Sequence, residues 1–514
     1  LGRRAMNGST RTFAVHAACI RGVEAFPVTV EISMAGGIPN MVIIGGPDNT
    51  VLDARGRIRC ALRTSGYDVP RAGITVNLAP GDLRKTGTGL DLPIVVAVLA
   101  ISGQIPVEGL DGCLFAGEVA LDGRVAAVKG EVAYQLLARD SGLSFIGGAG
   151  GSGVPISGAD CGCLSHLGRL RAGISLAREA VELPDPVPER PVSLDFGDVV
   201  GQDIAKRGIS VAAVGDLGLL MVGSPGSGKS MLARRMTSVM PPIDDDELQE
   251  ALCIHSVVGE PTASLLAGER PFRSPHHSSS RAGLVGGGRP VRPGEASLAH
   301  GGVLFLDELA EFGNNALQAL RQPIEEGCVR LVRADGAYVF PSRFCLLAAS
   351  NPCPCGYLGD REIPCTCPPY AVERYQAKLG GPLADRIDLI IDVARTDPAA
   401  IIEGAEGLTS AAIRADVQRG RAFRLWRTGR LDPDALERKP GSIDSAIQTL
   451  SLDATGSDTL LAIAESNHLT GRGIMRLCRI ARTLADIAER DRVEADHVLE
   501  ASLLQGRRNR GVGR

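Results

Sequence analysis

The sequence lacks an excess of charge of either sign. Its 514 residues hold 55 Lys+Arg against 59 Asp+Glu, a formal net charge of −4, so no global field marks the chain for a polyanion or a membrane surface. Any contact with nucleic acid must therefore be local. A long hydrophobic run is also missing. The longest charge-free apolar stretch, Leu92 to Val107, is interrupted by Pro93, Gly103, Gln104 and Pro106 and is too short for a bilayer. Leu1 to Arg11 carries arginines with no apolar signal core behind them, and the reading is a cytoplasmic protein with no membrane partner. Nor is there a disulfide framework: the 13 cysteines are odd in number and scattered, as reduced thiols are, apart from four that cluster. No internal repeat is visible. What is present is a hydrophobic content of 44%, enough for real cores, over a length that suits about three domains.

Composition divides the chain. Gly147 to Gly158 reads as a flexible surface loop, and Glu182 to Asp195, with Pro184, Pro186, Pro188 and Pro191, reads as a semi-rigid extended linker. Before the linker, β-like runs at Phe26 to Ile32, Met41 to Ile44 and Ile74 to Leu78 alternate with helix-like stretches at Asp53 to Ser65 and Leu92 to Ile101. From Phe196 to about Val393 the rhythm is that of an open α/β sheet. Beyond Thr396 apolar residues recur at helical spacing, as in Ile474, Cys478, Ala481, Leu484 and Ile487. The expected architecture is α/β in class: an α+β domain over 1–181, a linker over 182–195, a P-loop α/β domain over 196–395, a helical domain over 396–505 and a solvated basic tail over 506–514.

The apolar run Leu217 to Val222 leads into Gly223, Ser224, Pro225, Gly226, Ser227, Gly228, Lys229 and Ser230, and a helix-like segment opens at Met231. This is G-x-x-x-x-G-K-[ST] in its required strand, loop and helix context. Glycines let backbone N–H groups curl around phosphate oxygens, Lys229 reaches the terminal phosphates, and the Ser230 hydroxyl ligates Mg²⁺. ATP and Mg²⁺ are thus the expected cofactors. Hydrolysis also needs a carboxylate for the metal and a group that orients water. The buried-strand pattern Gly302 to Leu306 ends in Asp307 and Glu308, which would take those two roles.

A third strand, Phe344 to Ser350, ends in Asn351, a neutral amide that would sit beside the γ-phosphate; local sequence equally allows it to start a turn before Pro352. Arg386 follows Asp385 in a segment where it would reach a neighbouring subunit's phosphate, or form an Arg–Asp surface pair.

These residues together resemble the AAA+ ATPases. Arg270-Pro-Phe-Arg-Ser-Pro-His-His277, Pro293 to His300, Asn351-Pro-Cys-Pro-Cys-Gly356 and Gly381 to Arg386 resemble the magnesium-chelatase-like branch, and residues 11 to 505 are similar to the ComM/YifB family. That resemblance implies an amino-terminal domain similar to the proteolytic domain of Lon, with a ribosomal-protein-like α+β fold. The chain departs from a protease: Thr88-Gly89 stands where a nucleophilic serine would, and Lys129 is shifted from the activating position, so a non-proteolytic scaffold is expected. It further implies a homo-oligomeric ring, expected as a hexamer, in which the helical domain is the lid. Arg472 is similar there to a sensor arginine that contacts nucleotide; Arg476 and Arg479, on the same helix face, read as solvated.

Cys353, Cys355, Cys365 and Cys367 on one turn-rich segment outline a tetrahedral structural zinc site. His276 and His277 read as part of a channel-facing loop. For DNA, the Gly-rich stretch with Arg281, Arg289 and Arg292, and a hairpin-like stretch with Arg330 and Arg333 turning at Asp335-Gly336, would grip phosphates without reading bases. The function expected from the resemblance is an ATP-driven ring motor that unwinds or branch-migrates DNA recombination intermediates. The alternative is a chelatase-type ATPase that remodels a metal-inserting protein partner.

Overall fold

A computed structural model describes residues 11–151, 153–154, 156–181, 194–334, 336–360, 362–380, 383, 386–396, 399, 402, 407–429 and 450–506. Most of the proline-rich linker, the arginines of the tail and Asp335 at the hairpin turn lie outside them.

Two long alternating strands, β1 (Arg11–Arg21) and β2 (Glu24–Ala35), pair antiparallel through the turn at Gly22. They centre a seven-stranded sheet with β3 (Asn40–Ile44), β4 (Gly73–Ala79), β5 (Cys113–Phe115), β6 (Ser144–Gly148) and β7 (Cys161–Leu164), in the order β3-β4-β2-β1-β5-β6-β7. Helix α1 (Asn49–Thr64) starts where the Asp48 side chain accepts from Val51 N at 2.9 Å. Helix α2 (Asp91–Ile101) is apolar on every side after its first residue, so it can only be a core helix, and each of its residues is buried. Its Asp91 is 1% exposed and takes a bidentate pair from Arg57 at 2.8 and 2.9 Å.

The glycines at 147–148 correct the composition reading. They are buried at the end of β6, where a Cβ on Gly148 would stand 2.1 Å from the Ala126 carbonyl carbon. Close backbone approach, not flexibility, selects glycine there. Helix α3 (Glu131–Asp140) completes this part of the chain.

The second sheet follows α4 (Asp203–Gly215). Its strands β8 (Leu219–Val222), β9 (Phe272–Arg273), β10 (Val303–Leu306), β13 (Cys345–Ser350) and β14 (Leu389–Asp392) run parallel in the order β9-β10-β13-β8-β14; the hairpin β11 (Cys328–Arg333) and β12 (Gly336–Pro341) interrupts them in sequence. Registers of Val222 with Ser350 and Leu306 with Ala348 bring the carboxyl ends of β8, β10 and β13 to one edge, the edge where open α/β sheets hold ligands. Helices α5 (Lys229–Arg234) and α6 (Asp245–Val258) flank it.

Among the described residues four helices follow: α7 (Ser410–Thr428), α8 (Ala454–Ser466), α9 (Gly471–Ile487) and α10 (Ala495–Leu504). The periodic residues Cys478, Ala481 and Leu484 on α9 are buried and share an apolar cluster with Val214 of α4 and Leu219 of β8. Arg479, exposed as expected, also carries a pair: its Nη2 lies 2.6 Å from Asp388 Oδ1, and Arg476 Nη1 donates to Ile387 O at 3.4 Å.

The two sheets also share a core. Val23, Val132, Ala133, Val154 and Ile156 cluster with Leu252, Ile254 and Phe340. Across the same seam Gly130 N donates to Ser256 O at 2.9 Å, and the Arg21 guanidinium stands 5.4 Å from the Tyr338 ring centre. No helix among the described residues is long and apolar enough to cross a membrane.

One buried group predicts an acid sensitivity. His300 is 0% exposed, its Nδ1 accepts from Arg343 N at 3.1 Å, and burial pulls its pKa from 6.5 to about 4. The unfolded chain takes up that proton near 6.5, the folded one only near 4, so stability is full above 6.5 and drains as pH falls toward 4. The loss should reach about 3 kcal/mol. Denaturant midpoints measured across this window should fall less in His300→Gln than in wild type; parallel curves would reject the assignment.

Candidate active site

The loop between β8 and α5 is shaped by close approach. A Cβ on Gly223 would stand 2.2 Å from Val393 O, and Gly228 has φ of +94°, a conformation side chains resist. Lys229 is 9% exposed, and its ammonium donates to Gly223 O at 2.7 Å, Ser224 O at 3.0 Å and Asn351 Oδ1 at 3.3 Å. Burial draws its pKa down, against the fields of Asp307 and Glu308, which hold it up. A buried cation with three neutral acceptors is a receptor for an anion.

Ser230 Oγ donates to Asp307 Oδ2 at 2.7 Å, the spacing of two oxygens that a hard cation such as Mg²⁺ would share. Glu308 follows with φ of +52°, a left-handed backbone that costs a non-glycine residue about 1–2 kcal/mol. Its amide donates to Asp307 Oδ1 at 3.0 Å. Its carboxylate does not point into empty space: Oε2 lies 3.1 Å from His277 Nδ1. The His277 ring is held between His276, at 4.0 Å between centres, and the edge of Phe312 at 6.5 Å.

Thus Lys229, Ser230, Asp307, Glu308 and Asn351 converge at one sheet edge. Arg386 does not join them; its guanidinium pairs with Glu325 on the helix Arg321–Glu326. Arg472 stands exposed in the first turn of α9, two residues after its N-cap Thr470. In the amino-terminal part, Thr88 Oγ1 donates to Glu118 Oε2 at 2.7 Å, while Lys129 Nζ reaches across the seam to Val258 O at 2.8 Å. The two residues of the protease comparison thus have separate partners.

Sequence reading missed His277 as a neighbour of Glu308. The contact arises through strand pairing: its segment leaves β9, which pairs with β10, the strand that delivers Glu308. The two arginine-bearing loops also meet. Arg333 Nη2 would stand 3.6 Å from a Cβ on Gly287, and Gly287 itself bridges to Arg292. Arg281, Arg289, Arg330 and Arg333 are all exposed around this junction.

Cys353, Cys355, Cys365 and Cys367 gather with all sulfurs within 4.8 Å of one another. The closest pairs are 3.4, 3.6 and 3.7 Å apart. Sulfurs around a tetrahedral zinc, each about 2.3 Å from the ion, stand about 3.8 Å apart, so the donor set fits that metal.

A five-stranded parallel sheet with a phosphate loop and an acid pair on one edge defines a P-loop nucleotide-binding module. Three family models match in succession: subunit ChlI of Mg-chelatase over 30–146, magnesium chelatase subunit ChlI over 195–401, and its carboxyl-terminal part over 407–505. YifB of Escherichia coli K12 is 37% identical over 494 residues, covering 95% of this chain and 96% of that protein. Competence protein ComM of Haemophilus influenzae is 35% identical over 503 residues, covering 95% and 96%. The magnesium-chelatase 67 kDa subunit of Chlorobaculum parvum is 29% identical over 159 residues, only 30% of this chain and 23% of that protein. The chain belongs to the ComM/YifB family of magnesium-chelatase-like AAA+ proteins.

Proposed function

We propose that this chain is a cytoplasmic, ATP-hydrolysing ring motor, hexameric in its working form, that moves along DNA and branch-migrates recombination intermediates. The observation that carries the ATPase reading is the convergence of Lys229, Ser230, Asp307, Glu308 and Asn351 on one sheet edge. Residues 223–231 would wrap the phosphates of ATP, with Lys229 on the terminal ones. Ser230 and Asp307 would hold Mg²⁺, which neutralises the phosphate oxygens when bound. Glu308 would orient and deprotonate the attacking water, and Asn351 would steady the same water or the γ-phosphate. Arg386 would leave Glu325 to reach the phosphate of an adjoining subunit, and Arg472 would contact nucleotide from the lid. Residues 1–181 would serve as scaffold, 196–395 as motor and 396–505 as lid.

The DNA step is supported by the exposed arginines of the two loops, of which Arg333 comes near Gly287, and by a competence protein among the full-length relatives. A chelatase role shares the nucleotide residues, but the magnesium-chelatase subunit of Chlorobaculum parvum matches only 30% of this chain. Turnover of ATP measured with and without single-stranded DNA, beside unwinding of three- and four-way junctions, tests the reading. DNA should stimulate turnover, and the Arg330→Ala/Arg333→Ala variant should lose that stimulation while keeping basal turnover. Absence of DNA binding at low salt would end the DNA reading.

A further inference from the structure

The segment that carries the four cysteines does not hang away from the nucleotide site. It begins two residues after Asn351, whose amide accepts from Lys229, and it closes back over the phosphate loop. Gly356, at φ of +87°, lies so tightly on the loop that a Cβ there would stand 2.6 Å from Pro225 Cδ. Asp360, whose side chain is 4% exposed, faces the Ser224 hydroxyl and accepts from the amides of Glu362 and Ile363 at 3.0 and 3.1 Å. Arg395, on the far side, stands 3.5 Å from Asp360 Oδ2, donates to Pro225 O at 3.4 Å and covers the Tyr357 ring at 5.6 Å. Ser224 and Pro225 are therefore held from above by groups that all lie in, or bond to, residues 353–367.

That segment has little to hold its own shape. Among its described residues Cys353 is the one buried apolar side chain, and Leu358 and Ile363 are exposed at 39% and 36%. A loop without an apolar core of its own takes its order from a crosslink, and the crosslink available is the group of four sulfurs.

We propose that zinc held by Cys353, Cys355, Cys365 and Cys367 is a clamp on the phosphate loop: the metal fixes residues 353–367, and through Gly356, Asp360 and Arg395 these fix Ser224 and Pro225 in the phosphate-receiving shape. The inference rests on the nucleotide reading above and adds a dependence of that site on metal. Four thiols give up protons as they bind the ion, and the metal supplies no chemistry to the nucleotide beyond this ordering. Without it, the entropy of ordering the loop falls on nucleotide binding.

The test uses the full chain and the fluorescent nucleotide mant-ADP, whose binding does not depend on turnover. Purified protein should hold about one zinc per chain by atomic spectrometry. Removing it with a strong chelator should weaken mant-ADP affinity by about tenfold or more, and added zinc should restore it. The Cys365→Ser/Cys367→Ser variant should lack zinc and bind equally weakly. Because that variant can fail to fold, Asp360→Asn provides a second arm: it should keep zinc and still lose affinity. Metal-free protein that binds mant-ADP within about twofold of the zinc form would overturn the clamp, as would Asp360→Asn with full zinc and full affinity, or wild type that takes up no zinc. Lys229→Ala separates the two readings. If it binds mant-ADP normally, the nucleotide site lies elsewhere and the clamp falls with it; if it loses mant-ADP while metal removal changes nothing, the clamp alone is rejected.

Discussion

Lys229→Ala should reduce ATP turnover by about a thousandfold, the scale on which removing one well-aimed charge from a phosphoryl-transfer site acts. The geometry says why so short a truncation does so much. The ammonium is buried, its acceptors are two loop carbonyls and the Asn351 amide, and the carboxylates of Asp307 and Glu308 set the field around it. Alanine would take a donor from each of those acceptors and leave the triphosphate with no buried cation. Measured by phosphate release at saturating ATP, turnover within about tenfold of wild type would reject Lys229 as the phosphate-binding cation.

The second large effect is at Glu308. Glu308→Gln keeps shape and hydrogen-bonding reach but cannot take a proton, so it should bind nucleotide like wild type and hydrolyse it at least about a hundredfold more slowly. Its neighbour gives a contrasting outcome. With His277 Nδ1 3.1 Å from Glu308 Oε2 and the Glu308 backbone in a left-handed conformation, the side chain is held to one side rather than free to find water. His277→Ala should therefore change kcat while leaving nucleotide affinity nearly unchanged. A variant at Glu308 with ordinary turnover would remove the water-activating role, and equal shifts in kcat and affinity at His277 would reduce it to a packing residue.

The parts of this site that could be read from the chain are those whose chemistry is local. A phosphate loop is eight consecutive residues between a strand and a helix, and an acid pair at the end of a buried strand is seven. Asn351 was ambiguous because its meaning depends on β13 lying between β8 and β10, which no local pattern states. His277 was read as part of a channel loop because its partner is distant in sequence and arrives by strand pairing. The bonds from Asp360 and Arg395 to Ser224 and Pro225 had no signal at all: an acid and a base on turn-rich segments look like any solvated pair until the loop closes. The buried glycines at 147–148 were misread for a related reason. Flexibility and tight packing both select glycine, and composition does not distinguish them.

If the chain is the motor proposed above, the apolar seam between the sheets sets how it would respond to load. Val132 and Ile156 from one side and Leu252 and Phe340 from the other share a single interior, and Phe340 belongs to the hairpin whose opposite strand carries Arg330 and Arg333. A pull on those arginines would be felt by the amino-terminal sheet directly, through packed side chains, rather than along the peptide that joins the halves. On that reading the front of the chain would be a stiffening buttress for the hairpin, and severing it would leave that lever without its fulcrum.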